Sequence, residues 1–249
     1  MKNINYPYIS VIIPAHNEEK CLAECLSGIL NQTTKTPYEV IVVDNNSTDR
    51  TKKIAEKYPV RVISETRKGA SAARNTGARN SRGELLIFLD ADTRPSFTYI
   101  QHIQEKLNNY PDLDVIAGPP VMIDAGPWVH WLTDTLNYFT WYFRFTKLVS
   151  GVQAFWSGNF AIKKKVFIKS GGFDEKLTSV IMAEDIEFSV RLGTRGTKIY
   201  FDPTLKVNCL FSFRKFRRQP LILNTLKRSW YINGYLLKAR ILPATNFTH

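Results

Sequence analysis

Four short apolar runs, each stopping abruptly at polar residues, fill residues 9–92 and most constrain the fold. Ile9-Ser10-Val11-Ile12-Ile13 stops at Pro14. Tyr38-Glu39-Val40-Ile41-Val42-Val43 stops at Asp44. Val60-Arg61-Val62-Ile63 runs into a charged loop, and the run at 85–89 ends in Asp90-Ala91-Asp92. Runs of this length, rich in β-branched residues, read as buried strands. Helical segments separate them. Residues 18–31 repeat apolar side chains at Cys21, Leu22, Cys25, Leu26, Ile29 and Leu30. Residues 50–57 follow the turn-and-cap sequence Asn45-Asn46-Ser47-Thr48-Asp49, and residues 72–81 are opened by Lys68-Gly69-Ala70-Ser71. Alternation of this kind predicts an α/β fold with a parallel, doubly wound sheet. Ligands on such sheets bind beyond the carboxyl ends of the strands. The polar clusters Asn17-Glu18, Asp44, residues 68–75 and Asp90/Asp92 all fall at those ends.

The second half is less regular. Strands are expected at residues 115–118 and 159–162, with a solvated Lys163-Lys164-Lys165 after the latter. A turn is expected at Gly171-Gly172-Phe173-Asp174-Glu175, a helix from Glu184 to Leu192, and a last strand at 198–201.

Asp90 and Asp92 are two carboxylates one residue apart at the mouth of a buried strand. They repel each other and pay desolvation unless a cation or hydrogen-bond donors satisfy them. Hard oxygen ligands at this spacing suit Mg²⁺ or Mn²⁺ shared with substrate phosphates. A plain strand-end turn is the alternative, since Pro95 follows closely.

The net charge of +12 points to anionic partners: nucleotides, nucleic acid or an acidic membrane face. Cys21, Cys25 and Cys209 lack ligand spacing and read as reduced core residues of a cytoplasmic protein. No secretory leader is expected at residues 1–8 and no membrane span anywhere; residues 127–149 come nearest, interrupted by His130, Asp134, Arg144 and Lys147.

Six motifs in order resemble the inverting family 2 glycosyltransferases of GT-A fold. These are Val11-Ile12-Ile13-Pro14-Ala15-His16-Asn17-Glu18, Val43-Asp44-Asn45-Asn46-Ser47-Thr48-Asp49, and Lys68-Gly69-Ala70-Ser71-Ala72-Ala73-Arg74-Asn75-Thr76-Gly77. Leu89-Asp90-Ala91-Asp92, Gly171-Gly172-Phe173-Asp174-Glu175 and Glu184-Asp185-Ile186-Glu187 complete the series. The resemblance covers roughly residues 8–205. It implies a GT-A domain over 1–210, with a nucleotide-binding half at about 8–95 and an acceptor half at about 96–210, and a basic, aromatic extension at 211–249.

The resemblance further implies that Pro14, Ala15, Glu18, Asp44, Lys68, Arg74 and Asp90 contact the nucleotide of a UDP- or GDP-linked sugar. Asp44 would accept a hydrogen bond from the base. Gly69, Ser71 and Ala72 would let a helix start approach the anion. Asp92 would hold Mn²⁺ or Mg²⁺ on the diphosphate. Asp185 would be the catalytic base, with Glu184 as rival and helix capping as the structural alternative for both. A phosphate acceptor would need no base. Trp156, Gly158 and Asn159 would shape an acceptor or donor-sugar loop. The family's histidine after the last sheet strand is missing from Val207-Asn208-Cys209-Leu210-Phe211-Ser212, and Arg217 and Arg218 are candidates to clamp the diphosphate instead.

The aromatics Trp128, Trp131, Tyr138, Phe139, Trp141, Tyr142, Phe143 and Phe145, with Arg144 and Lys147, read as an interfacial helix. Together with the basic C-terminal stretch they predict peripheral binding to an anionic membrane, on its cytoplasmic face, within reach of a lipid-linked or polyprenyl-phosphate acceptor. A helical lid is the alternative. Three other readings compete. A sugar nucleotidyltransferase should carry a glycine-rich, arginine-containing loop after the first strand, which Pro14-Ala15-His16-Asn17-Glu18 is not. A nucleic-acid binder is disfavoured by carboxylates at the strand ends, so no nucleic acid is expected. A degenerate homologue would bind nucleotide without turnover.

Overall fold

The structure is a computed structural model that describes residues 8–123, 147–148, 151–152, 154–177 and 183–210. Strand β1 (Ile9–Ala15) leads through helix α1 (Leu22–Leu30) to β2 (Tyr38–Asp44), then α2 (Thr51–Ala55), β3 (Arg61–Ser64), α3 (Ala70–Asn80) and β4 (Leu85–Leu89). These four strands lie side by side in the order β3-β2-β1-β4, all parallel. This is the doubly wound arrangement expected from the alternating pattern. Their side chains are buried because helices cover both faces: one core gathers around α1 and a second around α3. Gly77 lets α3 lie against the sheet, since a Cβ there would stand 2.3 Å from Ile12 Cγ2.

After β4 the chain makes β5 (Thr93–Arg94), α4 (Tyr99–Asn109), β6 (Val115–Ala117) and β7 (Pro120–Ile123). Then come β8 (Asn159–Lys163), α5 (Lys164–Ser170), α6 (Ala183–Thr194), β9 (Ile199–Phe201) and β10 (Val207–Leu210). Strand β8 pairs antiparallel with both β4 and β6, while β6 and β9 are parallel. The full sheet reads β3-β2-β1-β4-β8-β6-β9 and is mostly parallel. A smaller sheet, β5-β10-β7, sits beside it.

Three local expectations need correction. Helix α1 begins at Leu22 rather than Glu18, because Asn17 takes φ 56° and the next residues turn before the first helical bond. Residues 198–201 are not the last strand, since β10 follows. Two of the three lysines are not simply solvated: Lys163 ends β8 with its Nζ on Pro111 O (3.0 Å), and Lys164 opens α5 with its Nζ on Ser81 O (2.6 Å), while Lys165 is exposed. Long stems lie along the surface while the ammonium groups reach carbonyls.

Candidate active site at the carboxyl ends of the strands

Strand β1 delivers Pro14 and Ala15 to the rim, followed by the exposed His16 and half-buried Glu18. Beside it, β2 delivers Asp44. The Asp44 side chain is 6 % exposed and its Oδ1 has no hydrogen-bond partner among the described residues. A buried carboxylate oxygen without a donor is costly. It marks a position prepared to accept a hydrogen bond from a ligand.

Asn45 ties the rim together. Its Nδ2 donates to Glu65 O (3.0 Å) and Arg67 O (2.6 Å), and its Oδ1 accepts from Gly69 N (2.9 Å). The loop from Glu65 to Gly69 is thus fastened to the end of β2, which places exposed Lys68 at the start of α3. Gly69 has φ 119°, open to glycine and strained for other residues. Ser71, in the first turn of α3, is buried, and its Oγ lacks a partner among the described residues. The expected helix cap by Asp49 needs correction: the N-cap of α2 is Arg50, without a side-chain cap bond, and Asp49 Oδ1 accepts from Thr51 N at 2.9 Å in a turn ahead of the helix.

Arg74 is the hub of the site. It is 3 % exposed, donating through NH2 to Asp90 Oδ1 (2.8 Å) and through NH1 to Glu184 Oε1 (3.2 Å), with its guanidinium 5.5 Å from the centre of the Phe173 ring. The sequence expectation placed Arg74 on the nucleotide; in the structure these two donors are spent on carboxylates. Asp90 and Glu184 come from β4 and α6, so one buried cation joins the two halves of the chain.

The antiparallel seating of β8 against β4 brings the loop at Trp156, Ser157 and Gly158 over the aspartate turn. Asp90 N donates to Gly158 O (3.3 Å). A Cβ on Gly158 would stand 2.4 Å from Asp90 Oδ2 and 2.3 Å from the Trp156 ring, so only glycine allows this approach. Ser157 N donates to Asp185 Oδ1 (3.3 Å). The contacts close a ring: Asp90 to Arg74, Arg74 to Glu184, the neighbouring Asp185 to Ser157, and Gly158 back to Asp90. Asn159 sits deeper. It is fully buried, accepts from Tyr99 Oη (2.7 Å) and donates to Leu205 O (2.8 Å), which makes it a core tie.

Two carboxylates in this ring are electrostatically unsettled. Burial pushes the Asp185 carboxyl up to about 7; neighbouring Glu184 adds to the rise, while Arg74 and the Ser157 N–H oppose it. Burial also raises Glu184, against the pull of Arg74. A carboxylate poised near neutral pH can take and release a proton. Among the described residues Asp185 has no cation in hydrogen-bond contact, whereas Glu184 is held by Arg74.

Asp92 is half-buried, with Oδ1 at 3.7 Å from Cys209 Sγ and its carbonyl accepting from Leu210 N at 3.0 Å. Among the described residues no group of three His, Cys, Asp or Glu side chains converges as a metal cage. The donor chemistry fits a Mg²⁺ or Mn²⁺ of the other kind, held by one hard carboxylate and completed by diphosphate oxygens and water.

Sequence reasoning missed two supports of the site. Asn75 donates to Phe173 O (2.8 Å) and accepts from Phe173 N (2.9 Å), pinning the Gly171–Glu175 turn to α3. Arg191 donates to Glu187 Oε1 (2.5 Å), Gly172 O (2.6 Å) and Ser170 O, clamping that turn to α6. Asn75 reaches Phe173 across 98 positions and Arg191 reaches Gly172 across 19, which no local pattern signals, whereas the Glu187–Arg191 pair is a helical i,i+4 spacing that the sequence does offer. Arg217, Arg218 and the aromatic stretch at 128–145 lie outside the described residues. Among the described residues no helix is long and apolar enough to cross a membrane. A cavity of about 510 Å³ lined by Tyr8, Tyr38, Glu39 and Arg61 lies at the opposite pole of the sheet, away from these groups.

Comparison with known proteins agrees with this geometry. The family model for glycosyl transferase family 2 matches residues 10–171. The probable glycosyltransferase YdaM of Bacillus subtilis (strain 168) is 32 % identical over 214 residues, 79 % of this chain and 49 % of that protein. The dolichol-phosphate mannosyltransferase of Pyrococcus furiosus is 37 % identical over 112 residues, 43 % of this chain and 32 % of that protein. The chain therefore spans half or less of the length of these two relatives. The mannosyltransferase PcManGT of Pyrobaculum calidifontis, solved with GDP-Man and Mn²⁺, superposes with a TM-score of 0.64 at 21 % identity, covering 94 % of this chain and 70 % of that one. The likeness establishes the GT-A fold.

Proposed function

Since this chain belongs to glycosyl transferase family 2, we propose that it moves a sugar from a UDP- or GDP-linked donor to a lipid-linked or polyprenyl-phosphate acceptor, with inversion. The observation that carries the reading is the closed ring joining Asp90, Arg74, Glu184, Asp185, Ser157 and Gly158 at the carboxyl ends of the strands.

Asp44 Oδ1 accepts a hydrogen bond from the base, relieving its burial without a donor. Pro14, Ala15 and Glu18 wall the nucleotide, Lys68 faces its phosphates, and the start of α3 favours the anion. A Mg²⁺ or Mn²⁺ held by Asp92 and the diphosphate would neutralise charge on the leaving group. Arg74 keeps Asp90 oriented, and Trp156 and Gly158 shape the wall on the sugar side. The acceptor oxygen forms a bond to the anomeric carbon as that carbon's bond to the diphosphate oxygen breaks. The electron pair leaves with the nucleoside diphosphate. When the acceptor is a hydroxyl, its proton passes to Asp185.

The lipid acceptor is supported by likeness to the Pyrococcus furiosus dolichol-phosphate mannosyltransferase over part of the chain. It is also supported by the aromatic, basic composition of 127–149 and 211–249, which suits the surface of an anionic membrane. The test is nucleotide release from a panel of UDP- and GDP-sugars with Mn²⁺ or Mg²⁺, with and without lipid extract. One donor should be turned over, faster with lipid, and Asp92→Ala should abolish the release. Nucleotide binding without release from any donor would instead indicate a binding protein.

A further inference from the structure

We propose that Cys209 is a positioning residue for Asp92, fixing the carboxylate that holds the divalent cation; the proposal rests on the metal reading above. Strand β10 reaches the aspartate turn from the far end of the chain. It pairs antiparallel with β5, Cys209 opposite Thr93, and Leu210 N donates to Asp92 O at 3.0 Å. That pairing fixes the backbone on both sides of the contact. The Cys209 side chain has a single rotatable bond to its sulfur, is 5 % exposed, and stands with Sγ 3.7 Å from Asp92 Oδ1.

A thiol suits this task. An S–H is a weak donor, so it orients the carboxylate while leaving most of its negative charge for a cation. A lysine or arginine at the same place would neutralise it. A second thiol reaches the same turn: Cys25 Sγ lies 3.6 Å from Asp90 O. The Asp90–Asp92 turn is therefore met by two thiols, Cys25 at the Asp90 carbonyl and Cys209 at the Asp92 side chain. Groups that orient a metal ligand typically change metal affinity about 10–100-fold when removed.

The test measures Mn²⁺ binding by electron paramagnetic resonance in the presence of a nucleoside diphosphate, alongside turnover. Cys209→Ala should weaken Mn²⁺ about tenfold and raise the half-activating Mn²⁺ equally, with kcat at saturating metal near wild type. Cys209→Ser, which restores a donor, should return to within about twofold of wild type by the same reasoning. Asp92→Asn should lose the metal response altogether. Wild-type binding in Asp92→Asn would overturn the metal reading and this proposal with it. Loss in Asp92→Asn with wild-type binding in Cys209→Ala would overturn this proposal alone. A Cd²⁺–thiolate absorption band that disappears in Cys209→Ser would make the sulfur a ligand, and would also overturn the positioning role.

Discussion

Residues 9–89 and residues 154–210 build opposite walls of one site by different means. In the first region each strand, turn and helix follows from its own stretch of sequence, and neighbouring strands pair in parallel through short crossovers. In the second, antiparallel β8 is inserted beside β4, and β10 returns to the aspartate turn across more than a hundred positions. The first wall holds its functional atoms by bonds within its own region, such as Asn45 on Gly69, 24 positions apart. The second is tied back to the first across far longer separations, such as Asn75 on Phe173 at 98 positions and Arg74 on Glu184 at 110. The first region is thus set by bonds within itself, whereas the second depends on contacts to the first. Arg74 is where the two meet.

That contrast can be broken at its seam. Arg74→Met should have the largest effect, because it leaves Asp90 and Glu184 without their shared cation. Removing one partner of a buried ion pair costs about 3–5 kcal/mol, to be read as a lower denaturation midpoint with unchanged slope. Activity should fall further than a variant of equal stability elsewhere. Arg191→Leu should be next. It removes the guanidinium paired with Glu187, which is 3 % exposed, for about 3 kcal/mol, and should loosen the Gly171–Glu175 turn selectively in hydrogen exchange. Equal loosening of β1 and β2 would contradict the division into two walls. Asp44→Ala should leave folding intact and weaken donor binding by about 1–3 kcal/mol, roughly tenfold to a hundredfold in KM.

The smallest effect is on pH. With Asp185 raised to about 7, surrounded by Glu184, Arg74, Asp90 and the Ser157 N–H, turnover of a hydroxyl acceptor should fall about tenfold per unit below neutrality. The sign for stability is opposite. The folded state keeps a proton on Asp185 that the unfolded chain has lost. The stabilisation is therefore complete below about pH 4 and disappears as pH rises through about 7. Asp185→Asn should melt above wild type at pH 8 and close to it at pH 4.

The two walls also differ in how far the sequence discloses them. Strands β1, β2 and β4 and the polar clusters at their ends were legible, because buried parallel strands are continuous apolar runs and turns carry their own residue chemistry. Asp44 and the Asp90/Asp92 pair stand where the pattern put them. The partners of Arg74 were not legible: Glu184 is 110 positions away, and periodicity carries no information on such pairs. Asn159 was expected near the acceptor, but its amide is used in the core by Tyr99 and Leu205. Helices α4 and α5 were missed, and so was β10, a strand only four residues long.

The most direct test is single-turnover transfer at pH 8 by Asp185→Asn beside Glu184→Gln, with the donor and acceptor identified from the panel. If Asp185 is the base that this ring holds ready, Asp185→Asn should slow transfer to a hydroxyl acceptor by about 10³-fold with donor affinity unchanged, and Glu184→Gln should be milder. Undiminished transfer to a hydroxyl acceptor by Asp185→Asn would contradict the account.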